Sequence, residues 1–475
     1  MHVKDDGLED TSTIEQNVSN NEPQYDDKAA PVVFGATDQP PPESSPGSST
    51  KDLENASPPT SSLTYPEGGL RAWLVVLGSF SGMVACFGFM NSSGTFQLYL
   101  SSHQLSTSSP AAIGWIFSLY VFLAFFCGVQ IGPIFDALGP RWLVFAGTVL
   151  SLVGTFTLAE STLYWHFLLT YGLVSGVGTS LIFTPAFGAV AHFFSRRRGL
   201  ATGLAATGGS VGGMLYPLIL PALFDSVGYA WGVRIMGFTM AFLLVLANLL
   251  IRGRLPRAPH VDASALMPDF RIFRSLPFAL TTAGVFFIEW GLFVPLTYTS
   301  SWALATGVGS PAFAYQLIAI LNAGSFFGRW GPGLIADHVG RFNTIILACL
   351  MCIVSVLALW LPGAAPGSPV TGSVALAVVF VLVFGLGSGS GISLTPVCVG
   401  QLCKTEEYGR YYATCFTVVS IGCLTGVPIA GALLEACGGA YTGMVAFTAA
   451  CYAAGMMCFA GTRVLLVGWR IGVVC

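Results

Sequence analysis

The sequence predicts an all-α membrane protein with twelve transmembrane helices in two six-helix bundles, preceded by a disordered N-terminal head. Twelve apolar stretches between Leu74 and the C-terminus are each about 20 residues long, enough to cross a bilayer as a helix. Charged residues make up 9% of the 475 residues, whereas soluble domains contain about 25%. The connections between the stretches alternate between basic ones and ones without Lys or Arg, as loops on the two sides of a membrane do.

Residues 1–65 form the predicted head. They hold twelve acidic and three basic residues, a net charge of −9, whereas residues 66–475 hold 11 acidic and 17 basic residues, a net charge of +6. The head is rich in Pro and Ser and has too few apolar residues to bury a core, so we expect disorder. It lacks the layout of a cleaved signal peptide, and we expect the first apolar helix to act as the insertion signal.

The twelve spans divide evenly around the longest internal connection. We predict a first six-helix bundle in residues 66–252, a cytoplasmic linker in 253–276, and a second bundle with a short tail in 277–475. The predicted spans, in order, are 74–98, 111–134, 142–160, 165–190, 200–224, 231–252, 277–300, 312–336, 343–362, 374–398, 411–435 and 441–462.

The basic connections fix the predicted orientation. The second, fourth, sixth, eighth and tenth connections all contain Arg or Lys, and the odd-numbered ones contain neither. Because short cytoplasmic loops carry the excess of Lys and Arg, both termini are predicted to be cytoplasmic. Apart from Arg252 at the last position of the sixth span, only Arg234 and Arg329 are Arg or Lys residues within the spans.

An internal repeat supports two related halves. The segment Gly132–Arg141 after span two is nearly repeated by Gly333–Arg341 after span eight, and their aspartates lie 201 residues apart. Such repeats are typical of transporters built from two homologous bundles. Short, Gly-containing turns place the four charged residues at predicted cytoplasmic helix ends, where two interpretations remain. Either they form a latch that holds the cytoplasmic side shut in one state, or they are plain topology anchors: Asp136, Arg141, Asp337 and Arg341.

The doubled element resembles the major facilitator superfamily, over about residues 66–475. More narrowly, Glu67–Trp73 before span one and Phe193–Gly208 entering span five are similar to the motifs of monocarboxylate porters, in the style of their fungal branch. The resemblance implies the major facilitator fold and transport by alternating access of a central site to the two sides of the membrane.

Two intramembrane charges are the strongest site candidates. A charge at mid-bilayer costs at least ~2.5–3.5 kcal/mol, so it usually faces a polar cavity or a partner. The resemblance implies that Arg329 binds a substrate carboxylate, and the alternative is an Arg that snorkels to the cytoplasmic face. Glu289 in span seven is a candidate proton-coupling and substrate-binding group, or alternatively a neutral structural acid.

Two positions depart from the porter pattern. Asn91 stands where the family's animal members have a Lys, and Ser325 stands where they have an Asp. The charges that serve proton–lactate transport are therefore incomplete. Asn91 still offers hydrogen bonds, and Tyr298 is an aromatic candidate for the cavity, so the predicted substrate-binding set is Asn91, Glu289, Tyr298 and Arg329.

The sequence lacks the parts of several other function classes. It has no P-loop, no HExxH and no cluster of catalytic acids, so we expect no enzyme activity. Cys349 and Cys352 form a CxxC without a second pair, which favours small core residues. We expect no metal site, no cofactor and no nucleic acid partner; the expected partners are a small-molecule substrate, the lipid bilayer and, as a candidate coupling ion, the proton.

Three functions compete. We favour a secondary active transporter that exports a secondary metabolite, because cavity charges are few and aromatic residues are plentiful. The alternatives are proton-coupled monocarboxylate uptake, which rests on Arg329, and a non-transporting membrane sensor, for which the head is short. We expect a monomer in the plasma membrane.

Overall fold

The computed structural model describes residues 65–108, 110–254 and 270–469. The predicted head up to residue 64, residues 255–269 of the predicted linker and residues 470–475 of the tail lie outside the described residues. Every regular element in the described ranges is helical.

Twelve long helices follow one another in the described residues, and their bounds agree with the predicted spans to within six residues. Four of them contain a break or a π-helical segment. In order they are α1 (Leu70–Asn91, continued by Ser93–Ser102), α2 (Pro110–Phe126 and Gly128–Leu138), α3 (Arg141–Leu158), α4 (Tyr164–Phe167, π-helical Leu168–Ser175, Gly176–Ala191), α5 (Arg198–Val227), α6 (Tyr229–Leu250), α7 (Leu276–Thr306), α8 (Pro311–Val339), α9 (Arg341–Ser355, π-helical Val356–Trp360, Leu361–Ala364), α10 (Val374–Val399), α11 (Tyr408–Ala436) and α12 (Thr442–Val467). Short 3-10 helices cover Phe270–Arg274 and Thr405–Glu407.

Eleven of these helices in the described part of the chain are long and apolar enough to cross a membrane. The remaining one, α8, has 29 residues, ample length for a crossing, but it is more polar. It carries Asn322, Arg329 and Asp337, of which Asn322 and Arg329 are buried inside the protein. The polarity of α8 is therefore turned away from lipid, as expected for a helix that borders a functional cavity.

The outer surface of the helices is apolar. On α6 alone, Phe238, Phe242 and Leu249 expose 59%, 70% and 60% of their side chains. Such a large exposed apolar surface is typical of a lipid-facing helix and not of a soluble domain.

We call helices α1–α6 the first half and helices α7–α12 the second half. The two halves meet through two helix crossings at the end that carries the Arg- and Lys-containing connections, which we call the basic end. At one crossing α2 lies against α11, with Gly132 facing Gly409; at the other α5 lies against α8, with Gly199 facing Gly333. A Cβ at Gly132 or Gly199 would overlap the facing carbonyl oxygen. Only glycine permits backbones to approach this closely.

Contact between the halves continues inward from the basic end. It reaches Phe125 of α2 and Phe416 of α11, whose ring centroids are 5.1 Å apart, and Gly213 of α5 beside Asn322 of α8. The central cavity begins at this depth. Phe125, Phe416 and Asn322 line it.

Candidate substrate cavity and gate

A central cavity lies between the two halves. Helices α1, α2 and α4 of the first half line it together with α7, α8, α10 and α11 of the second. Its lining residues are Phe87, Met90, Asn91, Phe125, Phe183, Glu289, Leu292, Phe293, Leu296, Leu321, Asn322, Ser325, Arg329, Ser388, Ile392 and Phe416.

Both charged residues of the cavity come from the second half. Arg329 and Glu289 are each only 3% exposed, and in the described part of the chain they do not form an ion pair with each other. Arg329 Nη1 donates to the carbonyl oxygen of Ala206 at 2.5 Å, while its buried Nε has no hydrogen-bond acceptor. An unpaired buried donor is costly, so the guanidinium is equipped to bind an acceptor oxygen of a ligand.

Two glycines of α5 make room for this polar cluster. A Cβ at Gly209 would overlap Arg329 Nη1, and one at Gly213 would lie 2.7 Å from both Asn322 Oδ1 and Asn91 Nδ2. Asn91 also donates from Nδ2 to the carbonyl oxygen of Gly209 at 3.2 Å. The bare backbone of α5 thus forms one wall of a polar pocket inside a mostly apolar cavity.

Three of the four predicted substrate-binding residues line the cavity: Asn91, Glu289 and Arg329. Tyr298 does not line it, because its hydroxyl donates to the carbonyl oxygen of Val427 on α11 at 3.3 Å. Sequence reasoning missed Asn322. Its spacing of seven residues from Arg329, two helical turns on the same face, was a signal that could have found it.

The gate aspartates reach across to the opposite half. Asp136 on α2 accepts hydrogen bonds from the backbone nitrogens of Gly409 and Arg410 at 2.9 and 2.7 Å, at the start of α11. Asp337 on α8 accepts from those of Gly199 and Leu200, both at 2.9 Å, at the start of α5. A carboxylate at a helix N-terminus satisfies unpaired N–H groups and favours the helix dipole. Each aspartate thereby closes one crossing between the halves.

The partners of the gate arginines differ from the sequence expectation. Arg341 donates from Nη2 to the carbonyl oxygen of Ser195 at 2.9 Å, and Arg141 is exposed at the start of α3. The hydrogen bonds that the aspartates accept come from helix N-termini, which offer two N–H donors each. The gate role of the four residues stays a prediction, and sequence alone does not reveal which helix start lies opposite each aspartate.

The segment before α1 makes further hydrogen bonds at the basic end. The Glu67 carboxylate accepts from the backbone nitrogens of Ser195, Arg196 and Arg197 at 2.8, 2.7 and 3.1 Å. Next to it, the Tyr65 hydroxyl contacts Thr405 Oγ1 of the second half at 2.5 Å. These contacts connect the N-terminal segment to the basic loops of both halves.

Arg198 spans the same interface. It is 4% exposed and donates from Nη1 to the carbonyl oxygen of Gly400 at 3.0 Å and from Nη2 to Thr405 Oγ1 at 3.4 Å. Its neighbour His192 is buried, and burial together with Arg198 and Arg254 lowers the pKa of His192 to about 4. His192 is therefore uncharged at neutral pH, and arginines carry the positive charge of this interface.

A cavity between two helix bundles is typical of membrane transporters. The sequence model of the Major Facilitator Superfamily matches residues 78–427. The chain belongs to the major facilitator superfamily. Members are transporters and not enzymes, so this protein is an integral, multi-pass membrane transporter of small molecules.

Fungal transporters are among the relatives of this superfamily member. It is 37% identical over 392 residues to the riboflavin transporter MCH5 of Saccharomyces cerevisiae, covering 78% of this chain and 74% of that one. It is 35% identical over 402 residues to the fujikurins efflux protein of Gibberella fujikuroi, covering 84% and 83%.

The fold is also similar to a solved transporter structure. The Escherichia coli fucose:proton symporter FucP superimposes with a TM-score of 0.62 at 18% identity, covering 82% of this chain and 98% of that one. A structure of FucP in the outward conformation gives a TM-score of 0.63. At this identity the likeness concerns the fold alone.

Proposed function

We propose that this transporter exports a mostly apolar small organic molecule, such as a fungal secondary metabolite, by alternating access. The observation that carries the proposal is the composition of the central cavity: ten of its sixteen lining residues are apolar, five of them Phe. Such a surface favours a ligand with an apolar or aromatic body, and the few polar groups then orient one polar end of it. A relative that shares 35% identity is named as the fujikurins efflux protein.

The proposed transport cycle uses the gate. We place the basic end in the cytoplasm, following the bias of Arg and Lys, with both termini on that side and the protein in the plasma membrane as a monomer. The geometry then corresponds to a state closed toward the cytoplasm. Substrate loading requires release of the Asp136 and Asp337 caps so that the halves rock apart at the basic end. The bundles at 66–252 and 277–475, the linker at 253–276 and the head at 1–65 remain the proposed domain division.

Energy coupling belongs to the same proposal. Glu289 is the only carboxyl group among the residues lining the cavity, and we assign it the coupling proton. An inward proton gradient then drives export when Glu289 takes up a proton from outside and gives it to the cytoplasm once per cycle.

The second candidate, proton-coupled uptake of a monocarboxylate, is favoured by one observation. The unpaired Nε of Arg329 is suited to a carboxylate oxygen, since guanidinium groups bind carboxylates in a bidentate fork. The lining holds no second cation, and an apolar surface of this extent exceeds what lactate needs. The same aromatic lining also suits a flat heterocycle, so riboflavin is a useful test compound.

The test compares two strains of a fungal host, one lacking the gene and one expressing it, by mass spectrometry of medium and cells. Export predicts that one or more metabolites move from cells to medium with the protein and stay in cells with Arg329→Ala. Uptake of labelled lactate, pyruvate and riboflavin is measured in the same strains. Arg329-dependent uptake of lactate or pyruvate, without any change in exported metabolites, would overturn the export proposal. The control variant Gly331→Ala changes α8 where nothing lies within 4 Å of the added Cβ.

A further inference from the structure

A second cavity lies directly behind Glu289. It is a small space lined by residues of α7, α9, α10 and α12, so it is contained within the second half. We call it the back cavity. Glu289, Leu292 and Ser388 line both this cavity and the central one, and these three residues therefore form the partition between the two spaces.

The polar groups of the back cavity converge on Glu289. They are the carboxyl of Glu289 itself, the hydroxyls of Ser388 and Tyr452 and the thiol of Cys349, set among apolar residues such as Ile345. A buried water molecule needs two to four polar partners, and this set supplies them. An apolar space of the same size without such groups would stay dry.

The groups that contact Glu289 from the back cavity are neutral. The titratable groups that interact with Glu289 from the neighbouring helices are Arg329 on α8, Tyr412, Cys415 and Cys423 on α11, and Tyr452 on α12. Arg329 is the one cation among them, and it lines the central cavity but not the back cavity. The groups that line the back cavity with Glu289 are therefore uncharged.

We propose that the back cavity is a hydration site for Glu289, in which water held by Ser388 and Tyr452 hydrogen-bonds the carboxyl from the side away from the substrate. The inference rests on the proton role assigned to Glu289 in the proposed function. When an apolar substrate fills the central cavity it displaces water from that face of Glu289. The water in the back cavity stays in place and continues to hydrogen-bond the Glu289 carboxyl.

The location of the cavity fits this role. All of its walls belong to the second half, so it travels with Glu289 when the halves rock as rigid bodies. Its hydrogen bonds to Glu289 are therefore independent of the gate. The cavity also extends to Ile345 in the second turn of α9, which starts at the basic end with Arg341, and this directs it toward the side where the coupling proton is released.

The test is infrared spectroscopy of the purified full-length transporter in lipid nanodiscs, without substrate, at a pH acidic enough to protonate Glu289. The probe is water itself. Glu289→Gln identifies the C=O stretching band of the Glu289 carboxyl. Cys349→Leu fills the back cavity, and Cys349→Ser leaves it nearly the same size and polar. Gly391→Ala fills less of it from α10, where the nearest atom to the added Cβ is Ile288 Cδ1 at 3.2 Å.

Loss of a hydrogen bond strengthens the C=O bond, so we expect the band to move to higher wavenumber in Cys349→Leu and to a smaller extent in Gly391→Ala. Wild type and Cys349→Ser should coincide. An unchanged band position in both filled variants, or a spectrum that Glu289→Gln leaves unaltered, would overturn the hydration site. Neither result depends on the exported compound, so failure here is distinct from failure of the export assay. If Cys349→Leu does not fold, Gly391→Ala alone decides the question.

Discussion

The two halves of this transporter contribute equally to the proposed gate but unequally to the charged residues of the central cavity. At the gate the halves are equivalent: Asp136 caps α11 and Asp337 caps α5, with hydrogen bonds of 2.7–2.9 Å in both cases. In the cavity they are not: both charges, Arg329 and Glu289, come from the second half. Counted back from the gate aspartates, the position that corresponds to Arg329 in the first half is Gly128.

This difference separates two tasks. A symmetric gate suits a rocking motion in which both crossings open together, because each contributes a similar free energy to the closed state. An asymmetric cavity suits recognition, because a substrate with one polar end needs its polar partners on one side only. Variants in the cavity should therefore change transport of the compound, and variants at the gate should change the balance between conformations.

The largest effect is expected for Arg329→Ala. Removal of the buried guanidinium leaves the polar end of the substrate without its main partner, and we expect export to fall by about 100-fold or more. Arg329→Lys keeps the charge but loses the planar fork and should recover only part of the activity. Export per cell, normalised to the amount of protein in the membrane, is the measurement. Wild-type export by Arg329→Ala would show that the asymmetry of the cavity is irrelevant to recognition.

A smaller effect is expected for Gly132→Ala and Gly199→Ala. The added methyl group overlaps a facing backbone oxygen, so the crossing must widen, at a cost of about 1–3 kcal/mol to the closed state. Both variants should increase labelling of a cysteine introduced at the basic end, and by similar factors. Gly331→Ala, which has open space, is the control on α8. A change in only one of the two variants would break the proposed symmetry of the gate.

The aspartate caps are expected to contribute somewhat less. Asp136→Ala and Asp337→Ala each remove a helix cap worth about 0.5–2 kcal/mol. The two variants should shift the conformational balance equally, and the double variant should shift it by the sum, since the crossings are separate. Asp→Asn at either site keeps an acceptor and should have a smaller effect. The same labelling assay tests this, and unequal single variants would argue against two matched gates.

The smallest effect is expected for the ion pair of Arg234 with Glu160, away from the gate and the cavity. The two side chains are 31% and 67% exposed, and exposed pairs contribute about 0–1 kcal/mol. Glu160→Gln should therefore leave both export and the melting temperature nearly unchanged. A large loss of export in this variant would place a functional element outside the two regions compared above.

The sequence predicted the helices and singled out Asp136 and Asp337 because both leave local signals, and the gate role of these aspartates stays a prediction. Apolar length and loop charge give the spans, and the repeat gives Asp136 and Asp337. Contacts between distant segments leave no such signal. The packing of the twelve helices determines three such contacts. They are the docking of Glu67 on the loop before α5, the burial of Arg198 and the hydrogen bond of Tyr298 to α11. Arg198 belongs to a basic connection in the sequence, and the structure places it within the contact between the halves.

The central claim is that the two halves rock about the cavity and that the basic end is held shut by the crossed caps. Pulsed electron–electron distance measurements can report both ends of the molecule. One pair of spin labels is placed at Leu138 and Val339, which are exposed at the basic ends of α2 and α8. A second pair is placed at Val227 and Leu304, which are exposed at the opposite ends of α5 and α7. In the Asp136→Ala and Asp337→Ala double variant, we predict a longer distance at the basic end together with a shorter one at the opposite end. Unchanged distances at both ends, or a lengthening at both, would contradict the account.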